Sequence, residues 1–298
     1  MDRTTSAPGS ARIDIAAASV LTGVAALVGA SPMIGASASS EGSSSSVAPG
    51  PDVCLEADAS LLDVEGWGAV HRAIAAAVED EPEFFPDAAM VSFPDLTQSW
   101  VPSGSPTVRI GIWGTGGNDA GWTDVWRERL AGTDCLSDGA DWTVRISRDL
   151  VVAAAELMLA EARLPQDGGE PLVPTEAEAD IDVEFHPAER RVRTILDWSK
   201  PVLGPIRVGG LCWIDDVLGA DVGEVTVRSQ ADMDVTIGGE AGCALFQEFL
   251  DERGGGERAV DLLPTEVDLA DGYIVSFVVE TIDLDGSVIV MAGSIGIR

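Results

Sequence analysis

From Gly114 to Asp119 the chain reads Gly-Thr-Gly-Gly-Asn-Asp. An apolar run, Val108 to Trp113, precedes it, and a segment carrying Trp122, Trp126 and Leu130 follows. Glycines between a strand and a helix can cradle a phosphate, because they let backbone amides approach it and the helix N-terminus favours its charge. A dinucleotide loop needs G-x-G-x-x-G, the third glycine lying where the helix packs closely on the strand. Gly114 and Gly116 meet the first two requirements. Asp119 occupies the third position and brings negative charge to where a pyrophosphate would lie. Asp141 falls near the ribose-binding position, which means little in so acidic a chain. The sole lysine is Lys200, so no phosphate-loop lysine exists. The expectation is a glycine turn feeding a helix.

Other chemistry is no better marked. Glycoside hydrolysis would need two carboxylates about 5 to 10 Å apart in a cleft. Asp180 and Asp182, Asp215 and Asp216, and Asp283 and Asp285 are spaced for it, but solvated strands use the same spacing. His71 and His186 are the two histidines and no G-x-S-x-G occurs, which leaves little for a catalytic triad or a zinc site. Asp283-x-Asp285-Gly286 lacks the downstream ligands of an EF-hand and reads as a hairpin turn. Six of the eight tryptophans lie between Trp67 and Trp142. They could stack on sugars, but Trp113, Trp122 and Trp126 suit a helix-on-sheet core better. The sequence therefore assigns no catalytic, cofactor-binding or metal-binding residue.

The cysteines are Cys54, Cys135, Cys212 and Cys243, with no C-x-x-C among them. Two disulfides in any of three connectivities would suit an oxidising compartment, and four buried thiols are the alternative. Asn118, the single asparagine, is followed by Asp119 and Ala120, so there is no N-glycosylation sequon.

Charge is the strongest compositional feature. The 298 residues hold 50 Asp and Glu against 18 Lys and Arg, a net charge of −32, yet 46% of residues are hydrophobic. That hydrophobicity sets the chain apart from disordered acidic proteins. Self-repulsion is strong in dilute buffer, whereas in molar salt the Debye length falls to about 3 Å. We therefore expect a protein of an extreme halophile, with solvent cations at its acidic surface. An acidic secreted protein of a high-GC mesophile is the alternative. Nucleic acid is excluded as a partner, since no basic face exists to neutralise phosphates. Arg190, Arg191 and Arg193 are expected to pair with nearby carboxylates.

Residues Ile15 to Ser40 carry no charge over 26 positions. Arg3 and Arg12 precede this stretch, and Ala36-Ser37-Ala38 closes it in the order of a secretory signal peptide. It is long enough to span a bilayer, for which roughly 20 residues suffice. Three readings stay open: a cleaved signal, a retained anchor making membrane contact through residues 15–38, and an assembly arm. All place the protein outside the cell, at the envelope or in a virion.

Positioning elements follow from periodicity. Trp67, Val70, Ile74 and Val78 share one helical face, and Asp149 to Leu164 is a second apolar helix. Ala88 to Phe93, Val108 to Trp113 and Trp142 to Ile146 read as strands. With a helix through Trp122 to Leu130 they predict a β-α-β-α region resembling a small open α/β sheet. Pro165 to Pro174 breaks the pattern. Beyond it, Asp180 to Phe185, Val225 to Val227 and Met233 to Ile237 alternate as strands, and Gly242 to Glu252 reads as helical. Tyr273, Val275, Phe277 and Val279 are expected on one face of a closing hairpin, with Asp285-Gly286 at its tip.

The predicted fold class is thus mixed α+β and α/β. An apolar arm and Ser-rich linker (1–52) precede an α/β domain (53–164) and a β-rich domain (175–298). The expected function is a non-enzymatic structural or interaction protein of a halophilic archaeal envelope, or of a virus infecting such a host. It would be a subunit of a larger assembly whose partners are other protein chains. The alternative is an exported carboxylate-dependent hydrolase or carbohydrate-binding protein.

Overall fold

Val-Cys-Leu-Glu-Ala-Asp, at Val53–Asp58, forms a strand, β1, in the interior of a seven-stranded sheet. The sequence pattern did not mark it, because Glu56 interrupts its apolar run. In the computed structural model this carboxylate is only 1% exposed. The structure describes residues 50–80, 88–96, 106–114, 123–133, 135–162, 177–203, 206–221, 224–235, 243, 256–260, 266–269 and 272–298.

The remaining strands are β2 (Ala89–Phe93), β3 (Thr107–Trp113), β4 (Trp142–Ser147), β5 (Glu178–His186), β6 (Arg191–Leu203) and β7 (Ile206–Asp221). They continue with β8 (Glu224–Val235), β9 (Gly256–Val260), β10 (Glu266–Asp268), β11 (Ile274–Asp285) and β12 (Val288–Ile297). The described α-helices are α1 (Val64–Asp80), α2 (Thr123–Gly132) and α3 (Arg148–Ala162). One sheet runs β10-β11-β12-β4-β1-β3-β2 and the other β5-β6-β7-β8-β9, each with antiparallel neighbours. The molecule is strand-rich and mixed α+β.

The expected β-α-β-α order is present as β3-α2-β4-α3, but not as an open α/β sheet. β1 lies between β3 and β4 and is antiparallel to both. β3 and β4 therefore run parallel without touching as a pair. On the other side of β4 lies β12, so strands from both sides of the Pro165 to Pro174 break share one sheet. Trp142 reinforces that junction: its indole N–H donates to the Ser294 carbonyl at 3.0 Å, and its ring meets Phe277 edge-on at 5.8 Å.

One face of this sheet presents Leu55, Ile110, Val144, Met291 and Phe277 to the main core. Against it pack α1, α3 and the inner face of the second sheet, whose β7 and β8 lie over β11. α1 buries the expected stripe of Trp67, Val70, Ile74 and Val78. Asp63 caps it, accepting from the Gly66 amide at 2.8 Å. α3 is started by Ser147, whose hydroxyl accepts from the Leu150 amide at 3.3 Å. The expected helix at Gly242 to Glu252 lies outside the described residues apart from Cys243.

The hairpin is as expected at its turn and different along its strand. Asp285 pairs with Val288 across Gly286-Ser287, and Gly286 has φ +63° while Ser287 does not have positive φ. That pattern is the two-residue turn with glycine first. Val275, Phe277 and Val279 share the buried face, but Tyr273 precedes β11 and is 55% exposed. A bulge between Val279 and Thr281 then shifts the parity, so Ile282 and Leu284 face the core. In the second sheet, the two runs predicted around Val225 and Met233 belong to one strand, β8.

Candidate functional site

The glycine loop begins where β3 ends. The Gly114 amide donates to Asp52 Oδ2 at 2.7 Å, and Asp52 Oδ1 accepts from the Ser147 hydroxyl at 3.3 Å. Burial pushes the Asp52 carboxyl above its usual range against the pull of these bonds, with Asp149 adding repulsion. The amide that a phosphate would use is thus already satisfied by a carboxylate of the chain. Gly116 and Asp119 lie outside the described residues. Asp141 is an anchor: its carboxylate accepts from the Ile295 amide at 3.0 Å, and its own amide donates to the Gly293 carbonyl.

The second face of the large sheet holds a compact polar and thiol cluster under α2. Cys54 and Glu56 are two residues apart on β1 and point the same way, since side chains alternate along a strand. Opposite them on β3 are Gly111 and Arg109. Arg109 Nη2 lies 2.9 Å from Glu56 Oε1, and its Nη1 donates to the Ala131 carbonyl at the end of α2. Glu56 Oε2 accepts from the amides of Cys135 and Leu136 at 2.6 and 3.1 Å. Burial raises the Glu56 carboxyl, but Arg109, the Cys135 amide and the Thr107 hydroxyl outweigh it and hold the group below its usual range. Trp113 and Trp126 stack 5.1 Å apart in the same cluster, packed with Cys54, Cys135 and Leu130. These two tryptophans serve the core, as expected; Trp122 lies outside the described residues.

Of the carboxylates proposed from spacing, Asp182, Asp215, Asp283 and Asp285 are brought to arginines. On the outer face of the second sheet, Arg193 grips Asp215 with both arms, at 2.7 and 2.8 Å, and Arg191 approaches the same carboxylate at 3.3 Å. The Arg193 guanidinium lies 5.3 Å from the ring centre of half-buried Trp213. Asp216, one residue on, points into the core, where the Ser229 hydroxyl donates to it at 2.5 Å. Asp182 meets Arg148 at 2.9 Å, Asp283 meets Arg190 at 3.0 Å, and Asp285 lies 4.0 Å from Arg145. His186 Nε2 lies 3.2 Å from Glu184 Oε2. His71 is half-buried on α1, and burial lowers its basicity, with Asp95 opposing and Arg72 reinforcing that shift. Among the described residues no group of three or more His, Cys, Asp and Glu could hold a metal ion.

Cys212 and Cys243 are joined by a disulfide with Cα atoms 5.7 Å apart, while Cys54 and Cys135 are buried thiols. Among the described residues, no helix is long and apolar enough to cross a membrane. A cavity of about 300 Å³ opens at the foot of α1, lined by Leu61, Leu62, Leu269, Tyr273 and Ile297 together with Asp63, Glu65 and Arg72. Sequence reasoning missed both this cavity and the Glu56–Arg109 pair. The one local signal was a glutamate inside an apolar run.

No protein-family model matches the chain, and no curated protein sequence matches it. Among solved structures the chain is similar to a lipopolysaccharide-binding protein, at 11% identity and a TM-score of 0.28 over 65% of this chain. It spans 51% of that protein's length. A likeness so slight carries no argument about fold or function.

Proposed function

We propose that the chain is a non-enzymatic structural or interaction protein, acting as a subunit of a larger assembly at a halophilic archaeal envelope or in a virion. The observation that carries this is how the least exposed acids are used. Glu56 is bound by Arg109 and two amides, Asp52 by Gly114 and Ser147, Asp215 by two arginines, and Asp216 by Ser229. Each spends its lone pairs on holding strands and connectors in place. A hydrolytic site would instead aim such a group at a substrate. The net charge of −32 supports a protein that works in concentrated salt.

The test uses the chain as its host makes it, kept in molar KCl. Intact mass gives the first residue, and light scattering gives the particle mass. We expect residues 1–38 to be retained, in particles larger than one chain or bound to lipid. A monomer beginning near Ser39 removes the arm and overturns the assembly proposal. A saccharide that raises the melting temperature of that monomer would instead establish the carbohydrate-binding alternative.

A further inference from the structure

We propose that Cys54 and Cys135 form a redox-closable pair, which an oxidant of the peroxide class joins as a second disulfide. The two residues belong to different parts of the chain, yet several constraints bring them together. Cys54 lies on the central strand β1, and Cys135 on the connector between α2 and β4. Glu56, two residues along β1 on the same face, holds the Cys135 backbone by accepting its amide hydrogen at 2.6 Å. Both thiols are buried in one cluster beneath the Trp113–Trp126 stack, at 3% and 2% exposure. Cys54 and Cys135 thus lie in one packed cluster, close enough for the two thiols to interact as a pair. With Cys212 and Cys243 joined, only one of the three connectivities open to four cysteines remains.

The two thiols are unequal, which sets the order of events. Interaction with Cys54 lowers the Cys135 thiol from its ordinary value against burial and Glu56, with Arg145 and Arg109 helping, while the same interaction and burial raise Cys54. Cys135 is therefore the sulfur that loses its proton and attacks the peroxide. Its sulfur takes one oxygen, the O–O bond breaks, and one water leaves after proton transfer. Cys54 sulfur then attacks the Cys135 sulfenic sulfur, the S–O bond breaks, and the second water leaves. Two thiols and one hydrogen peroxide become one disulfide and two waters. Hydrogen peroxide is a small neutral molecule, so a local opening of the connector suffices for entry. Closure would bolt that connector to the centre of the sheet.

The experiment takes the full chain in molar KCl with Cys54 and Cys135 reduced and adds hydrogen peroxide in equimolar amount. Alkylation in denaturant and peptide mapping follow. We expect both thiols to vanish together, the intact mass to fall by two hydrogens, and one linked peptide pair joining Cys54 to Cys135. Tryptophan emission should fall in step, since a disulfide beside an indole quenches it. In Cys54→Ser, Cys135 should stop at the sulfenic acid and be trapped by dimedone. The proposal is overturned if wild-type Cys54 and Cys135 remain alkylatable, if either gains oxygen without linkage, or if either pairs with Cys212 or Cys243.

Discussion

Arg109 on β3 and Glu56 on β1 are cross-strand neighbours whose charged atoms lie 2.9 Å apart, with side chains 15% and 1% exposed. Removing one partner leaves the other charge buried alone. Glu56→Gln should cost about 3–5 kcal/mol in chemical denaturation. Glu56→Leu combined with Arg109→Leu should cost less than the two single changes added together, because neither charge is then stranded.

The same pair gives a pH dependence with a defined sign. The folded Glu56 carboxyl titrates below its ordinary value of 4.5. Its contribution is therefore complete above the unfolded value and is lost as pH falls through the folded one. Asp52 works the other way: burial raises it, so its protonation on acidification relieves a cost. Wild-type protein in molar KCl should lose stability on acidification through the carboxylate range. Glu56→Gln should lose less over that range, while Asp52→Asn should lose more.

Two glycines of the hairpin should fail for different reasons. At Gly286 a Cβ would meet nothing within 4 Å, so the penalty is for φ +63° alone. Gly286→Ala should cost about 1–2 kcal/mol, and Gly286→Val more. At Gly293 a Cβ would overlap the Val278 carbonyl oxygen. Gly293→Ala should separate β11 from β12 and destabilise well beyond Gly286→Ala. Equal losses at both positions would contradict this account.

Salt should act through particular residues as well as through net charge. Asp180 on β5 and Asp197 on β6 face each other directly, both exposed. Like charges so placed repel. We expect near-UV dichroism to collapse between molar KCl and about 0.1 M, where the Debye length is near 10 Å. Asp197→Asn should raise stability at the lower salt by up to about 1 kcal/mol and change little at the higher.

Trp126 tests the assignment of the tryptophans to the core. It is 3% exposed and stacked on Trp113. Trp126→Ala should cost about 3–5 kcal/mol. NAD, FAD and ATP should leave the melting temperature of wild-type protein unchanged, whereas a bound ligand at about 100 times its dissociation constant adds about 2.7 kcal/mol.

What the sequence made legible was local. Trp67, Val70, Ile74 and Val78 announce the buried side of a helix because their spacing is the helix period. Gly286 announces a turn because little else accepts its φ. The β11 parity shift was half visible, since Val275, Phe277 and Val279 fall on odd positions and Ile282 and Leu284 on even ones. Pairing partners were hidden, because nothing in the run around Trp142 says that Val288 to Gly293 will bond to it. Glu56 misled for a related reason. A carboxylate in a strand reads as solvent-facing unless its arginine and its two amides, all distant in sequence, are known. The cysteine pair was hidden in the same way, since Cys54 and Cys135 meet only through tertiary structure.

β12 is last in sequence among the described strands, yet it sits beside β4 near the middle of its sheet. During synthesis β1, β3 and β4 emerge first, and the β4 edge meant for β12 stays bare until residues 288–293 arrive. High contact order of this kind slows folding and leaves an adhesive strand edge in the waiting chain. Acid on the nascent segment keeps such edges apart by mutual repulsion only where salt is low, and in brine that protection is screened. Folding in concentrated salt is therefore a race between the closing of the sheet by its last hairpin and the capture of β4 by a neighbouring chain.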